Sequence, residues 1–288
     1  MNQNIVPIDQ VLMVDPQFFD VEYAINPHML NEQGELNQVD KKLAGKQWQD
    51  LQRAFQKINL KTVVLPAQKS LPDMVFSANQ SFVFFDPIGK QKTAIISNMR
   101  SAYRQKETLF FKEWYQQNGY RVLQFEELEF SFEGNGDIIP NPDFRFFWGG
   151  CGPRTDRKVY SLFSEKLGLK FETLNLVHPL FYHLDTCFVT LGSDCCAVVK
   201  EAFDQESLQK IAKHFSDIVY IDLVEAQKFF AANAFCPDGK NVIVQKGTRK
   251  FLADLLERGL NVIEVDTSEY MKSGGSVYCM KMGLVEKL

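Results

Sequence analysis

Cys279 follows the glycine pair Gly274-Gly275 near the C-terminal end of the sequence, at the start of a short apolar run. Glycine lets backbone approach a ligand closely, so a thiol just beyond such a pair can meet a substrate. A free cysteine alone is more often a small buried hydrophobe. Two further segments add weight. Phe132-Glu133-Gly134-Asn135-Gly136-Asp137 sets two carboxylates four residues apart around a tight turn, so both can point into one pocket. Phe181-Tyr182-His183-Leu184-Asp185-Thr186 sets an imidazole two residues from a carboxylate, ahead of a strand. Residues two apart on an extended strand share a face, which would make His183 and Asp185 a general acid–base with its charge partner. A thiol, an imidazole and several carboxylates are the parts of a cysteine-nucleophile enzyme. Blander readings stand beside these: a solvated acidic turn at 132–137, and a hydrogen-bonded strand-edge histidine at 183. His28, His178 and His214 are rival imidazoles with fewer suggestive neighbours.

Two more segments deliver polar groups. Leu71–Asn79 reads as a turn, where Asp73 could act as a cap, followed by a strand ending in polar residues. Gly149-Gly150-Cys151-Gly152-Pro153-Arg154 is a glycine-rich loop that presents an arginine. Its spacing is neither a dinucleotide fingerprint nor a P-loop. An arginine there suits bidentate capture of a carboxylate, or is a surface residue beside Asp156. Cys151, Cys187, Cys195, Cys196 and Cys236 read as structural thiols, and Asn233 is given no chemistry.

The elements that must position these groups are short and alternate. Val11–Val14, Thr62–Leu65, Ser81–Phe85, Thr93–Ile96, Val122–Phe125, Phe144–Trp148 and Phe171–Val177 read as strands. So do Cys187–Leu191, Cys195–Val199, Val219–Leu223, Asn241–Gln245, Val262–Val265 and Val277–Met282. Helical patterns cover Lys42–Ile58, Ala102–Asn118, Asp156–Leu167, Gln205–Phe215 and Thr248–Arg258. The class is α/β with more strands than a doubly wound sheet would show, in units recurring roughly every 50–60 residues. The polar loop Asn26–Asp40 suits a flap over a site as well as plain surface. No linker splits the chain, so residues 1–288 are expected to form a single domain.

The 288 residues carry 45% hydrophobic and 24% charged residues, an ordinary soluble composition with ample material for a core. The net charge of -4 gives no general attraction to nucleic acid or anionic membrane. No run approaches the ~20 apolar residues of a membrane span, and the N-terminus lacks a secretory pattern. Six scattered cysteines without a CxxC pair argue against a zinc site or disulfide framework and for a reducing cytoplasm. The 25 phenylalanines fall mainly in apolar runs and read as core. Whether the chain forms a homo-oligomer is left open.

Taken in order, these segments resemble the guanidine-modifying superfamily of arginine deiminases, dimethylarginine dimethylaminohydrolases and amidinotransferases. The likeness is nearest to the bacterial arginine dihydrolase branch. It is carried by Phe19-Asp20-Val21, Tyr23, Ile25-Asn26-Pro27, Met29, Leu71–Asn79, Phe132–Asp137, Arg154, Phe181–Thr186, Phe229–Ala234 and Gly274–Cys279, nearly the whole chain. The resemblance implies the pentein α/β-propeller, five ββαβ-type modules around a pseudo-fivefold axis with the site at the centre. It implies that Cys279 attacks a guanidinium carbon, that His183 moves protons and that Glu133 orients it or binds substrate nitrogen. Asp73 and Asp185 would hold the guanidinium, with Asp137 near the same pocket. Arg154 would grip the substrate carboxylate, Arg104 would be a second, and Asn26 would sit on the flap. No metal or organic cofactor is implied, and the partner is a small guanidino or ureido amino acid.

Asn79 is the informative departure. Deiminases and methylarginine hydrolases carry aspartate there, whereas the dihydrolase-like branch carries asparagine, which can donate as well as accept. This favours an arginine dihydrolase, taking arginine to ornithine, ammonia and carbon dioxide. Dimethylarginine dimethylaminohydrolase, arginine deiminase and citrulline hydrolase are the alternatives within the class, and an amidinotransferase or a non-catalytic arginine-binding protein lies outside it. Ser276, Tyr278, Cys151 and Pro153 also depart from the dihydrolase-like pattern, and bear on substrate more than on chemistry. The second domain of the cyanobacterial relatives is expected to be absent, since the sequence stops just after the nucleophile strand.

Overall fold

The computed structural model describes residues 5, 8–86, 89–125 and 129–285. Strands pair there into five small sheets, each containing one parallel pair. A parallel pair needs a crossover, and a helix supplies it each time. β1 (Gln10–Val14) and β2 (Lys61–Leu65) flank α1 (Lys41–Lys57). β3 (Ser81–Asp86) is antiparallel to β4 (Gln91–Ile96), which α2 (Glu107–Gln117) joins to β5 (Arg121–Leu123). After the short α3 (Gly134–Asp137), β6 (Ile138–Pro140) is antiparallel to β7 (Phe147–Cys151), and α4 (Lys158–Leu167) leads to β8 (Phe171–Asn175). β9 (Phe188–Thr190), β10 (Cys195–Val198), α5 (Gln205–His214) and β11 (Asp217–Tyr220) repeat the arrangement. α6 (Leu223–Phe229), β12 (Asn241–Gln245), α7 (Lys250–Glu257), β13 (Asn261–Val265) and α8 (Ser268–Met271) follow. β14 (Met282–Leu284) returns to pair antiparallel with β1, Leu12 opposite Met282, which anchors the segment carrying Cys279 to the first strand.

The helices form because one face of each is apolar. α1 buries Ala44, Trp48, Leu51, Ala54 and Phe55 at spacings of three and four. Asp40 caps it by accepting from the Leu43 amide at 3.0 Å. The phenylalanines do fill the interior: the fully buried Phe82 ring meets Phe84 at 5.1 Å and Phe147 at 5.0 Å. Burying each such ring contributes about 1.5–3 kcal/mol. Among the described residues no helix is long and apolar enough to cross a membrane.

Several expected boundaries are corrected, each for a local reason. Val277–Met282 is not a strand; the chain turns through 277–280 and β14 begins at Met282. The amides of Ser276, Tyr278 and Cys279 all donate to Asn233 Oδ1, which curls the backbone around one acceptor. The strand expected at Val219–Leu223 stops at Tyr220 because Asp222 accepts from the Val224 amide and starts α6. The strand expected from Phe144 starts at Phe147, since Phe144 itself adopts a left-handed turn conformation, φ 54°. The helix expected from Ala102 starts at Glu107. Ile138–Pro140, not expected as a strand, is one.

Candidate active site

The expected residues converge on one pocket with about 290 Å³ of empty space. Its wall includes Cys279, His183, Asp73, Asn79, Arg104, Arg154 and Asn26, seven residues from positions 26 to 279. All seven lie outside the regular strands and long helices, in turns, bends or single 3-10 turns.

Cys279 sits in the 277–280 turn and is buried. Asn233 Nδ2 donates to its sulfur at 3.1 Å, and the thiol donates to Asp185 Oδ2 at 3.1 Å. Burial first, then the neighbouring Asp185 charge, pushes the thiol well above its usual range. In the unliganded protein the sulfur is therefore a thiol, and a cation arriving in the pocket would favour the thiolate.

Residue spacing paired His183 with Asp185 and the resemblance put Glu133 beside it; the structure has the second pairing. The extended geometry that would put His183 and Asp185 on one face does not occur, because Leu184–Thr186 forms a single 3-10 turn. His183 Nε2 instead lies 2.7 Å from Glu133 Oε2. Glu133 also accepts from Arg154 Nη1 at 3.0 Å and from the Arg100 amide at 3.1 Å. Burial would raise the Glu133 carboxyl, but the His183 hydrogen bond and Arg154 outweigh it and hold the group at about 2. Gly134 and Gly136 make the approach possible. A Cβ at Gly136 would strike Asn79 Nδ2 and come within 3.2 Å of the His183 ring.

Glu133, Asp137 and Asp185 are not brought to the pocket wall. Asp137 stands behind His183, accepting from Thr155 Oγ1 at 2.7 Å and the Leu184 amide at 3.0 Å, and burial pushes it up to about 6. Asp185 stands beside Cys279, and burial pushes it up to about 7. Asp73 does reach the pocket: Ser273 Oγ donates to its Oδ1 at 2.7 Å, while Oδ2 is buried without a partner. Asn79 Oδ1 accepts from Arg104 Nη1 at 2.9 Å, leaving Nδ2 unpartnered. Arg104 also binds Glu107 at 2.9 Å and the Asp73 and Phe76 carbonyls at 3.0 and 3.3 Å. The loop carrying Asn26 is tied over the pocket, Asn26 Nδ2 donating to the Ser273 carbonyl at 2.9 Å. Tyr182 closes the same edge through its hydroxyl to the Gly274 carbonyl and stacks 5.2 Å from Arg154.

Sequence reasoning missed Asn233, Ser273, Thr155 and Lys281. Asn233 and Ser273 lay inside segments carrying the resemblance or next to them, yet only the fold shows that Asn233 holds the nucleophile. Among the described residues no group of three or more His, Cys, Asp or Glu is arranged to hold a metal ion.

The geometry has clear counterparts. A family profile for eukaryotic N,N dimethylarginine dimethylhydrolase matches residues 15–286. The chain is 32% identical over 267 residues to N(G),N(G)-dimethylarginine dimethylaminohydrolase of Mycobacterium tuberculosis, covering 93% of this chain and 83% of that protein. It is 31% identical over 276 residues to the bifunctional arginine dihydrolase/ornithine cyclodeaminase AgrE of Nostoc, covering 96% of this chain but spanning only 38% of that curated relative's length. The crystal structure of the N-terminal domain of ArgZ, a cyanobacterial arginine dihydrolase bound to substrate, superposes with a TM-score of 0.88 at 28% identity, covering 96% of this chain and 98% of that one. A variant of the same ArgZ domain has been crystallised covalently bound to a reaction intermediate. The match over nearly the whole length, with the Cys279 thiol, the His183 imidazole and the Asp73 carboxylate in one pocket, means that this chain belongs to the dimethylarginine dimethylhydrolase family.

Proposed function

We propose that the protein hydrolyses the guanidino group of arginine through a covalent adduct on Cys279, carrying out both hydrolytic steps of an arginine dihydrolase. One observation carries this reading. Cys279 and His183, with Glu133 hydrogen-bonded behind the imidazole, share a cavity with Asp73 and Asn79, whose Oδ2 and Nδ2 are buried without partners. A buried carboxylate oxygen without a donor is costly, and a guanidinium N–H supplies what it lacks.

The chemistry follows from the positions. The bound cation stabilises the thiolate, formed as the thiol proton passes to Asp185 Oδ2, and the thiolate attacks the guanidinium carbon. Ammonia leaves with a proton from His183, whose imidazolium Glu133 stabilises. Water then adds to the adduct, giving its proton to His183, and the carbon–sulfur bond breaks to release the thiol and citrulline. Asn79 supports a second round. With Oδ1 taken by Arg104, it offers the pocket a donor, which fits the ureido oxygen of citrulline rather than a guanidinium N–H. Attack on the ureido carbon expels a second ammonia, and water releases a carbamate that loses carbon dioxide to give ornithine. Arg154 suits the substrate carboxylate, which would take the place of its contact with Glu133 or with the Ile25 carbonyl at 2.9 Å.

Dimethylarginine hydrolysis is the second reading, favoured by the matching family profile. Five sheets among the described residues, each with one strand–helix–strand crossover, support the pentein arrangement of five modules about a pseudo-fivefold axis. The test is product analysis with arginine, citrulline and dimethylarginine, and with acceptor amines present or absent. Arginine should yield two ammonia per ornithine, and Cys279→Ala should yield none. Dimethylamine from dimethylarginine with arginine untouched would move the assignment to the second reading. Turnover that survives in Cys279→Ala would overturn both.

A further inference from the structure

Three Lys or Arg side chains are buried among the described residues: Arg104, Arg154 and Lys281. Arg104 is paired with Glu107 and Arg154 with Glu133. Lys281, two residues after the nucleophile and 1% exposed, has no such use in the reaction as derived so far. Its Nζ lies 3.1 Å from the Tyr278 ring centroid and 4.3 Å from that of Phe235. The two rings meet edge-on, 6.0 Å apart at 83°, so the ammonium sits in an aromatic corner behind the 277–280 turn. Aromatic faces hold a desolvated cation without neutralising it. The anionic groups whose charge it feels are Asp185 and Cys279.

We propose that Lys281 is a positioning residue of the reaction, a buried cation that holds the Asp185–Cys279 pair in the singly protonated state from which the attacking thiolate forms. A buried carboxylate needs a counter-charge. With Lys281 charged, the pair carries one proton, on sulfur or on Asp185 Oδ2. Moving it from sulfur to Oδ2, across the 3.1 Å contact, leaves the electron pair on sulfur. Without the cation the pair would keep both protons to higher pH, because a lone buried negative charge is disfavoured. Burial disfavours the charge on Lys281 and on Asp185 alike, while the charge of each favours the charged form of the other. The other titratable groups facing the pair are Tyr182, His183 and Cys187 around Asp185, Tyr278 on the nucleophile's own turn, and Asp73, Arg104 and Arg154 across the pocket.

The inference rests on Cys279 as nucleophile and needs no substrate to test. The rate at which iodoacetamide alkylates Cys279, read on its own peptide by mass spectrometry, is followed against pH. In folded Lys281→Met the profile should move up by about one pH unit, about tenfold slower at neutral pH. Lys281→Arg should restore most of the rate. A folded Lys281→Met whose profile overlies the wild type overturns the inference. Should that variant not fold, Phe235→Leu carries the test. It removes one ring from the ammonium and changes no charge, so it should shift the profile the same way, and an unshifted profile overturns the inference. A wild-type Cys279 that resists alkylation at every pH overturns the nucleophile and the inference together.

Discussion

Asp185 Oδ2 accepts a hydrogen bond from the Cys279 thiol at 3.1 Å, while Asp185 itself stays out of the pocket wall. The carboxylate expected to grip substrate is thus the nucleophile's own hydrogen-bond partner. Its Oδ1 is buried without a partner. In the proposed reaction this side chain bears on both the position of the sulfur and its ionisation.

Asn233 holds that geometry from the other side. It donates to the sulfur and to the Asp185 carbonyl, and takes three amides of the nucleophile turn on its Oδ1. Asn233→Ala should cost about 2–4 kcal/mol of stability, because several buried amides lose their acceptor. Turnover should fall further than the folded fraction does. Denaturant unfolding beside ammonia release separates the two effects.

Gly136 is required for space. A methyl there meets Asn79 Nδ2 and the His183 ring, so Gly136→Ala should displace the base and lower kcat/KM on the order of 10²-fold. Steady-state kinetics on protein shown to be folded by circular dichroism checks this.

Asp137 makes a prediction about pH. Burial raises its folded carboxyl from 3.8 to about 6, so the folded state prefers the protonated form. The stability this contributes is fully present below 3.8 and is lost as pH rises through about 6. Asp137→Asn fixes a neutral group there and should remove on the order of 1–3 kcal/mol of the change in that window. Urea midpoints of both proteins across the window are the measurement.

Asn79 should decide the product. Asn79→Asp replaces the free amide donor with an acceptor, which suits a guanidinium and repels a ureido oxygen. The citrulline-to-ornithine ratio from arginine should rise about tenfold or more, the equivalent of about 1.4 kcal/mol. An unchanged ratio, read by chromatography of the amino acids, would separate Asn79 from the second step.

The sequence by itself determined the α/β class, the strand pairs around Lys41–Lys57 and Gln205–His214, and the residue types of the site. Local signals are enough for these: an apolar face at helical spacing, glycines beside acids, and a late thiol. Tertiary structure alone decided who partners whom. Spacing alone joined His183 to Asp185, its neighbour in sequence, and only the resemblance pointed to Glu133; a 3-10 turn separates the neighbours and gives His183 to Glu133, fifty positions away. The supposed nucleophile strand is a turn because Asn233, 46 positions earlier, gathers its amides. Lys281 lay unremarked within the expected strand Val277–Met282, and only the folded chain, with β14 paired to β1, shows it buried. Hydrogen bonds and charges act over a few ångströms in space, and that distance exists only once the chain has closed on itself.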